Sequence, residues 1–374
     1  MDINIRQATL EDRERIGHFL QTAYEERAKY KFPARWHWLF VENPFWAGAR
    51  LPIWLAEVDG QIAGQTCEMV VPLKLGGGIY PAAWGVDYIV LPQFRRHGIG
   101  RLLQRAQSDY HDIFMALSMS PISRQVLVDL GFEAANPAIE LHKTIRVSPD
   151  RARKIVNDRL GAGSIVSRAL TMRPAATALA AFLSLFRRLR HLARQRPGTD
   201  GVTLERVERF GDEVDELWAR VAPRFPAIVQ RDAAYLNWKF IEQPWMQYDK
   251  FVAWRAQTPC GYVITRTGTP PEAKVGIVAD LFAAPDDDAV IRRLLWQATE
   301  HLRRAGVQQI VAASSVPEYV AHFLQQGFRR TREVVPMVRG RTIGEVPTGD
   351  WFLSMGDHDW DQFPLVTASQ PQGT

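Results

Sequence analysis

The chain has 374 residues, a formal net charge of +5, a 46% hydrophobic fraction and two cysteines. Such a length favours two or three domains, each able to bury a core, and cysteines as distant as Cys67 and Cys260 exclude a disulfide framework or a thiolate metal site. No charged-then-apolar leader opens the sequence, and the longest nearly apolar stretch, 175–186, falls short of the ~20 residues that span a bilayer. A cytoplasmic protein without a metal is expected.

The first dense feature in chain order is aromatic: Tyr30, Phe32, Trp36, Trp38, Phe40, Phe45 and Trp46. Such rings pack a core or line a pocket for a sugar or an apolar amine. Trp38, Phe40 and Phe45 recur in kind later in the chain, which favours packing for them, so Trp36 and Trp46 are the better pocket candidates. An extended run from Trp54 to Gly64 and a strand carrying Glu68 follow. Next comes the apolar strand Ile89-Val90-Leu91, which breaks at Pro92 and re-enters a helix through Gly98 and Gly100. A turn of that kind leaves backbone N–H groups without partners at a helix N-terminus, where the dipole favours an anion. Ile99, Leu102, Leu103, Ala106 and Tyr110 then fall at i, i+3, i+4, i+7 and i+11, the stripe of an amphipathic helix against a sheet.

Between that strand and that helix, Arg95-Arg96-His97-Gly98-Ile99-Gly100 resembles motif A of the GNAT acetyltransferase superfamily, (Gln/Arg)-x-x-Gly-x-(Gly/Ala). The resemblance implies that Arg95, Arg96, His97, Gly98, Ile99, Gly100 and Arg101 hold the pyrophosphate of acetyl-CoA or another acyl-CoA. It also implies that an amine attacks the thioester directly, with the Val90 amide as oxyanion donor on a strand splayed at Pro92. An amine of pKa near 10.4 is neutral in only about one molecule in 2,500 at pH 7, a handicap of roughly 4.6 kcal/mol that a base can remove. Asp87 and Glu68 are the nearest candidate bases. Asp280, the counterpart of Asp87 in the second half, favours a structural role for it instead. Leu127-Val128-Asp129-Leu130-Gly131-Phe132 resembles the end of motif B, yet Leu127 stands where a tyrosine acid is often found. A CoA thiolate, with a pKa near ~8.5, can take its proton from solvent. Ser120 and Ser123 lie near the expected proton acceptor, although helix capping is their commoner use.

From Arg151 to Asp200 the chain holds eleven Arg and Lys against two Asp, so the remainder is net negative and the basicity is local. That distribution argues against a nucleic-acid partner. Leu179, Phe182, Leu183, Phe186, Leu189 and Leu192 give the segment an apolar face, and arginines load its C-terminal part. Such a helix packs between domains, makes peripheral contact with the inner face of a membrane through residues 175–196 or, least favoured, meets a peptide or nucleic-acid partner.

The chain also repeats itself. Trp38-Leu39-Phe40-Val41-Glu42-Asn43-Pro44-Phe45 returns as Trp238-Lys239-Phe240-Ile241-Glu242-Gln243-Pro244-Trp245, and Ile291, Leu294, Leu295, Ala298 and Leu302 repeat the helix stripe. Val290 and Arg292 replace the two glycines, and Asp287 and Asp288 replace Arg95 and Arg96, so the second copy should not bind CoA. The expectation is an α/β (α+β) protein of two tandem GNAT folds, each a mixed, mostly antiparallel sheet flanked by helices. The domains are placed at 1–147, with the catalytic site, and 202–346, joined by a basic helical linker at 148–201 and followed by a loose tail at 347–374. Asp357, His358 and Asp359 fall in that tail. The activity implied is acyl transfer to a small-molecule or peptidyl amine. The alternatives are a non-catalytic acyl-CoA-binding module and, less favoured, a transferase using charged tRNA.

Overall fold

The computed structural model describes residues 2–117, 119–161, 164–165, 169–170, 172–195, 198, 201–268, 275–341 and 346–362, with the side chains of 190–195 outside the description. The first half runs β1 (Ile3–Gln7), α1 (Arg13–Tyr24), α2 (Ala34–Phe40), β2 (Ile53–Val58), β3 (Gln61–Leu75), β4 (Gly78–Val90), α3 (Ile99–Tyr110), β5 (Ile113–Ala116), α4 (Pro121–Asp129), β6 (Glu133–Ala134) and β7 (Ala138–Thr144). A helical hairpin follows, α5 (Pro149–Leu160) and α6 (Arg173–Gln195). The second half repeats the order as β8 (Val202–Val207), α7 (Asp212–Val221), β9 (Ala227–Val229), α8 (Ala233–Asn237), β10 (Asp249–Arg255), β11 (Thr258–Thr267), β12 (Val275–Ala283), α9 (Asp288–Arg304), β13 (Gln309–Ser314), α10 (Pro317–Gln325), β14 (Arg329–Val334) and β15 (Met337–Gly340), closed by β16 (Trp351–Phe352).

These elements form two compact units, each with its own mostly antiparallel sheet. The first unit takes the described residues of 1–138, 209–247 and 333–363, and its sheet runs β1-β2-β3-β4-β5-β15-β6, with β9 on β3 and β16 on β9. The second takes 139–208 and 248–332, ordered β14-β7-β13-β12-β11-β10-β8. A parallel pair marks the central crossover of each, β4 with β5 and β12 with β13, and in the first sheet β16 also runs parallel to β9.

The expected boundaries need correction in three places. Strand β7, the last of the first half, pairs with β13 in the second sheet, while β15 pairs with β5 in the first, so the halves exchange their closing strands. Residues 209–247 belong to the first unit because the repeated aromatic elements pack on each other. The Trp38 and Trp238 rings stack at 4.7 Å, and Trp38 Nε1 donates to the Trp238 carbonyl at 3.1 Å. The segment expected to be a loose tail is instead buried from Trp351 to Gln362 and carries β16.

Burial follows the sequence pattern with one deviation. Strand β3 is buried on nearly every residue, as a strand covered on both faces must be. Helix α9 buries its whole apolar stripe, Ile291, Leu294, Leu295, Ala298 and Leu302. Helix α3 buries Ile99 and Leu103 but leaves Leu102 and Tyr110 exposed; Gln107 turns inward instead, bonding Thr66 Oγ1 at 2.7 Å and the Cys67 carbonyl at 2.8 Å. In the linker, Leu179, Ala180 and Leu183 of α6 pack against Val147 and against Ala152 and Ile155 of α5.

Candidate active site

Helix α3 begins after Gly98, which sits in the left-handed region at φ 79°, and Arg96 shares that region at φ 68°. No side chain caps this helix. Among the described residues no hydrogen bond is donated by the amides of Arg96, His97, Gly98, Ile99 or Gly100; the first amide to find a partner is that of Arg101, bonded to the Gly98 carbonyl at 3.0 Å. The helix N-terminus therefore presents a run of donors, rimmed by the exposed Arg95, Arg96 and Arg101. The two glycines have different tasks. Gly98 is required by its backbone angle, and a Cβ there would meet nothing. A Cβ at Gly100 would overlap the hydroxyl of Tyr88, so this glycine makes room for that side chain.

Strand β4 supplies the second half of the site. Its parallel pairing with β5 stops at Gly85 opposite Ala116, yet the strand continues to Val90. The Leu91 amide donates to the Ala63 carbonyl of β3 at 2.9 Å. By the alternation of an antiparallel ladder, Val90, paired one residue earlier with Gly64, turns its N–H and C=O away from β3. The Val90 carbonyl accordingly accepts from Arg95 Nε at 3.1 Å. Its amide faces the edge that β5 has vacated. At the start of α4, Ser120 caps the helix by accepting from the Ser123 amide at 3.2 Å, and the two hydroxyls lie 3.0 Å apart.

Neither candidate carboxylate is free to act. Asp87 bulges out of β4 at φ 51° and pairs with both Lys31 and Arg35. Burial pushes its carboxyl up, but those two cations outweigh it and hold the group below the usual carboxylate range. Glu68 is fully buried with both oxygens engaged, one by Trp54 Nε1 at 2.9 Å and the other by His111 Nε2 at 2.7 Å, where α3 ends. The pocket candidates are engaged in packing. Trp36 is buried between Phe32 and Phe40. Trp46 packs on Tyr110 and His111, at the end of α3 opposite the donor loop, about 18 Å along a twelve-residue helix.

The second unit has the same slot, and fills it. Strand β12 outlasts its pairing with β13, which stops at Val278. Here the hydroxyl of Tyr319, on α10, accepts from the Ala283 amide at 2.8 Å and donates to the Ala283 carbonyl at 2.5 Å. Aligning Pro121 with Pro317 at the starts of α4 and α10 puts Ser123 where Tyr319 stands. The N-terminus of α9 is filled too: Asp287 accepts from the Val290 amide at 3.2 Å and pairs with Arg255 at 2.9 Å. A built-in carboxylate occupies the place where the first unit has a bare loop.

Sequence reasoning missed the buried ionic cluster of the first unit. Arg35 joins Asp87 to Asp359, the latter at 2.9 Å; burial would lower the guanidinium's pKa, and the two carboxylates more than reverse this. Arg231 pairs with Asp357 at 2.8 Å, and Lys239, lowered by burial, donates to the His358 carbonyl at 2.8 Å. His358 Nε2 bonds the Gly85 carbonyl at 3.1 Å, where β4 parts from β5, and its Nδ1 lies 2.7 Å from Asp359. Trp360 amid four closely spaced carboxylates and carboxamides was the available signal, since a solvated tail has no use for a tryptophan.

No protein-family model and no curated sequence matches the chain. Solved structures do match. A GCN5-related N-acetyltransferase from Anabaena variabilis is similar with a TM-score of 0.58 at 12% identity, over 90% of this chain and 72% of that one. A tandem GNAT protein from the clavulanic acid biosynthesis pathway gives 0.53 at 14%, over 91% and 98%. Saccharomyces cerevisiae N-myristoyltransferase with bound myristoyl-CoA gives 0.53 at 12%, over 91% and 81%. At these identities the likeness establishes the fold, a tandem GNAT fold.

Proposed function

We propose that the first unit moves an acetyl or other acyl group from acyl-CoA to an amine by direct attack in a ternary complex. The observation that carries this reading is the conjunction, among the described residues, of undonated amides from Arg96 to Gly100 with a stretch of β4 that β5 no longer pairs beyond Gly85, where the Val90 amide faces outward. An acyl-CoA is a ligand with a diphosphate for the former and an amide-bearing arm for the latter. Arg95, Arg96, His97, Gly98, Ile99, Gly100 and Arg101 hold the diphosphate in this reading, and the Val90 amide faces the developing oxyanion. Rate enhancement then comes mainly from placement and from that donor. Asp87, with both oxygens committed to cations, anchors the α2 face of the sheet, and Glu68 stays an internal partner of His111.

The same commitment of both carboxylates, together with Leu127 in place of a tyrosine, favours as the second reading an acyl-CoA-binding module without turnover. Release of free CoA in the presence of a panel of amines separates the two. Amine-dependent release supports transfer, and saturable binding with no release under any amine supports the binding module. An absence of binding removes both.

A further inference from the structure

Helix α6 has two apolar stripes. One, formed by Ala176, Leu179, Ala180 and Leu183, is used within the second unit against α5 and Val147. The other, Phe182, Leu185, Phe186 and Leu189, follows the same helical spacing six residues on, about 120° around the helix, and is exposed to 64%, 52%, 55% and 56%. A helix apolar on both sides is ordinarily covered on both, and adjacent exposed rings and leucines mark an interaction surface.

Charge identifies what covers it. In sequence the stripe falls within residues 151–200, which hold eleven Arg and Lys against two Asp, and Arg188 lies exposed beside it. A second copy of the chain would oppose this charge with the same charge. An anionic bilayer offers the opposite sign above an apolar interior and satisfies both features at once. We propose that the outer face of α6 docks on an anionic phospholipid surface, with Phe182, Leu185, Phe186 and Leu189 entering the boundary between headgroups and acyl chains. The helix lies in that boundary, since none of the described helices is long and apolar enough to cross a membrane. This inference is independent of the acyltransferase reading.

Flotation of the full chain with vesicles of phosphatidylcholine alone, and of phosphatidylcholine mixed with phosphatidylglycerol, tests it. The chain should float with the mixed vesicles at low salt, stay in solution with the neutral ones, and detach as salt rises. Phe182→Ser with Phe186→Ser should weaken partitioning at least about tenfold, and Arg188→Gln about fivefold, with thermal melting unchanged because these side chains are exposed. Failure to float with mixed vesicles at low salt overturns the proposal, as does undiminished flotation of the double variant. A dimer that the double variant dissociates, seen by light scattering with vesicles left unbound, gives the face to a second copy and overturns it equally.

Discussion

The two units pose the same backbone problem and solve it differently. Each has a strand that outlives its parallel neighbour and a helix whose first turn lacks backbone partners. In the second unit Tyr319 bonds both polar groups of Ala283, and Asp287 caps α9. In the first, the Ser123 hydroxyl meets Ser120 instead, and Gly98 offers no cap. A buried orphan polar group costs about 1–3 kcal/mol, so the second unit is complete as it stands, whereas the first keeps its groups where solvent or a ligand must satisfy them. The difference between the two strand edges comes down to a few side chains that are present in one copy and missing in the other.

The largest expected effect concerns the strand bulge. Asp87 answers two cations, whereas its counterpart Asp280 accepts from the neutral Tyr262 hydroxyl at 2.7 Å. Asp87→Asn leaves Arg35 and Lys31 undercompensated and should cost about 3–5 kcal/mol, against about 1–3 kcal/mol for Asp280→Asn, read from urea unfolding. Because the Asp87 and Asp359 carboxyls are held below their ordinary values, their contribution is present above pH ~4 and is lost as pH falls through the depressed values. The acid limb of the stability profile should therefore flatten in the Asp87→Asn variant. A variant of wild-type stability with abolished turnover would return Asp87 to the role of base.

Transplanting the plug is the next most severe change. Ser123→Tyr should place a hydroxyl against Val90 as Tyr319 does against Ala283, and lower acyl-CoA affinity about a hundredfold or more, equivalent to ~2.7 kcal/mol, while the melting temperature holds or rises. Unaltered affinity would mean that the ligand does not use this edge. The reciprocal change, Tyr319→Phe, orphans the Ala283 groups and should cost about 1–3 kcal/mol of stability, with acyl-CoA affinity untouched. Smaller again is Gly98→Val. A branched residue at φ 79° strains the loop by roughly 1–2 kcal/mol, which should weaken acyl-CoA binding about tenfold, whereas Val290→Gly should leave binding as it was.

Much of this was legible in the sequence because it depends on local pattern. The strand, proline break and glycines around Gly98 predicted a loop of bare amides, and the repeat predicted two copies with one loop filled. What escaped depends on contacts distant in sequence. Nothing near Ala138 announces that its strand crosses into the other sheet, and Asp357 to Asp361 read as solvated until Arg35, Arg231 and Lys239 are seen to meet them. Trp36 and Trp46 were candidates on composition, which does not tell a pocket wall from a core. Tyr88 and Tyr319 went unremarked since a hydroxyl's partner cannot be read from spacing.

The central claim is that one copy of the fold keeps an open slot for an acyl-CoA and the other has closed its own. Isothermal titration of the intact chain with acetyl-CoA counts the open slots directly. The account predicts saturation at a single equivalent per chain, removed by Ser123→Tyr; two equivalents, or no binding at all, would contradict it.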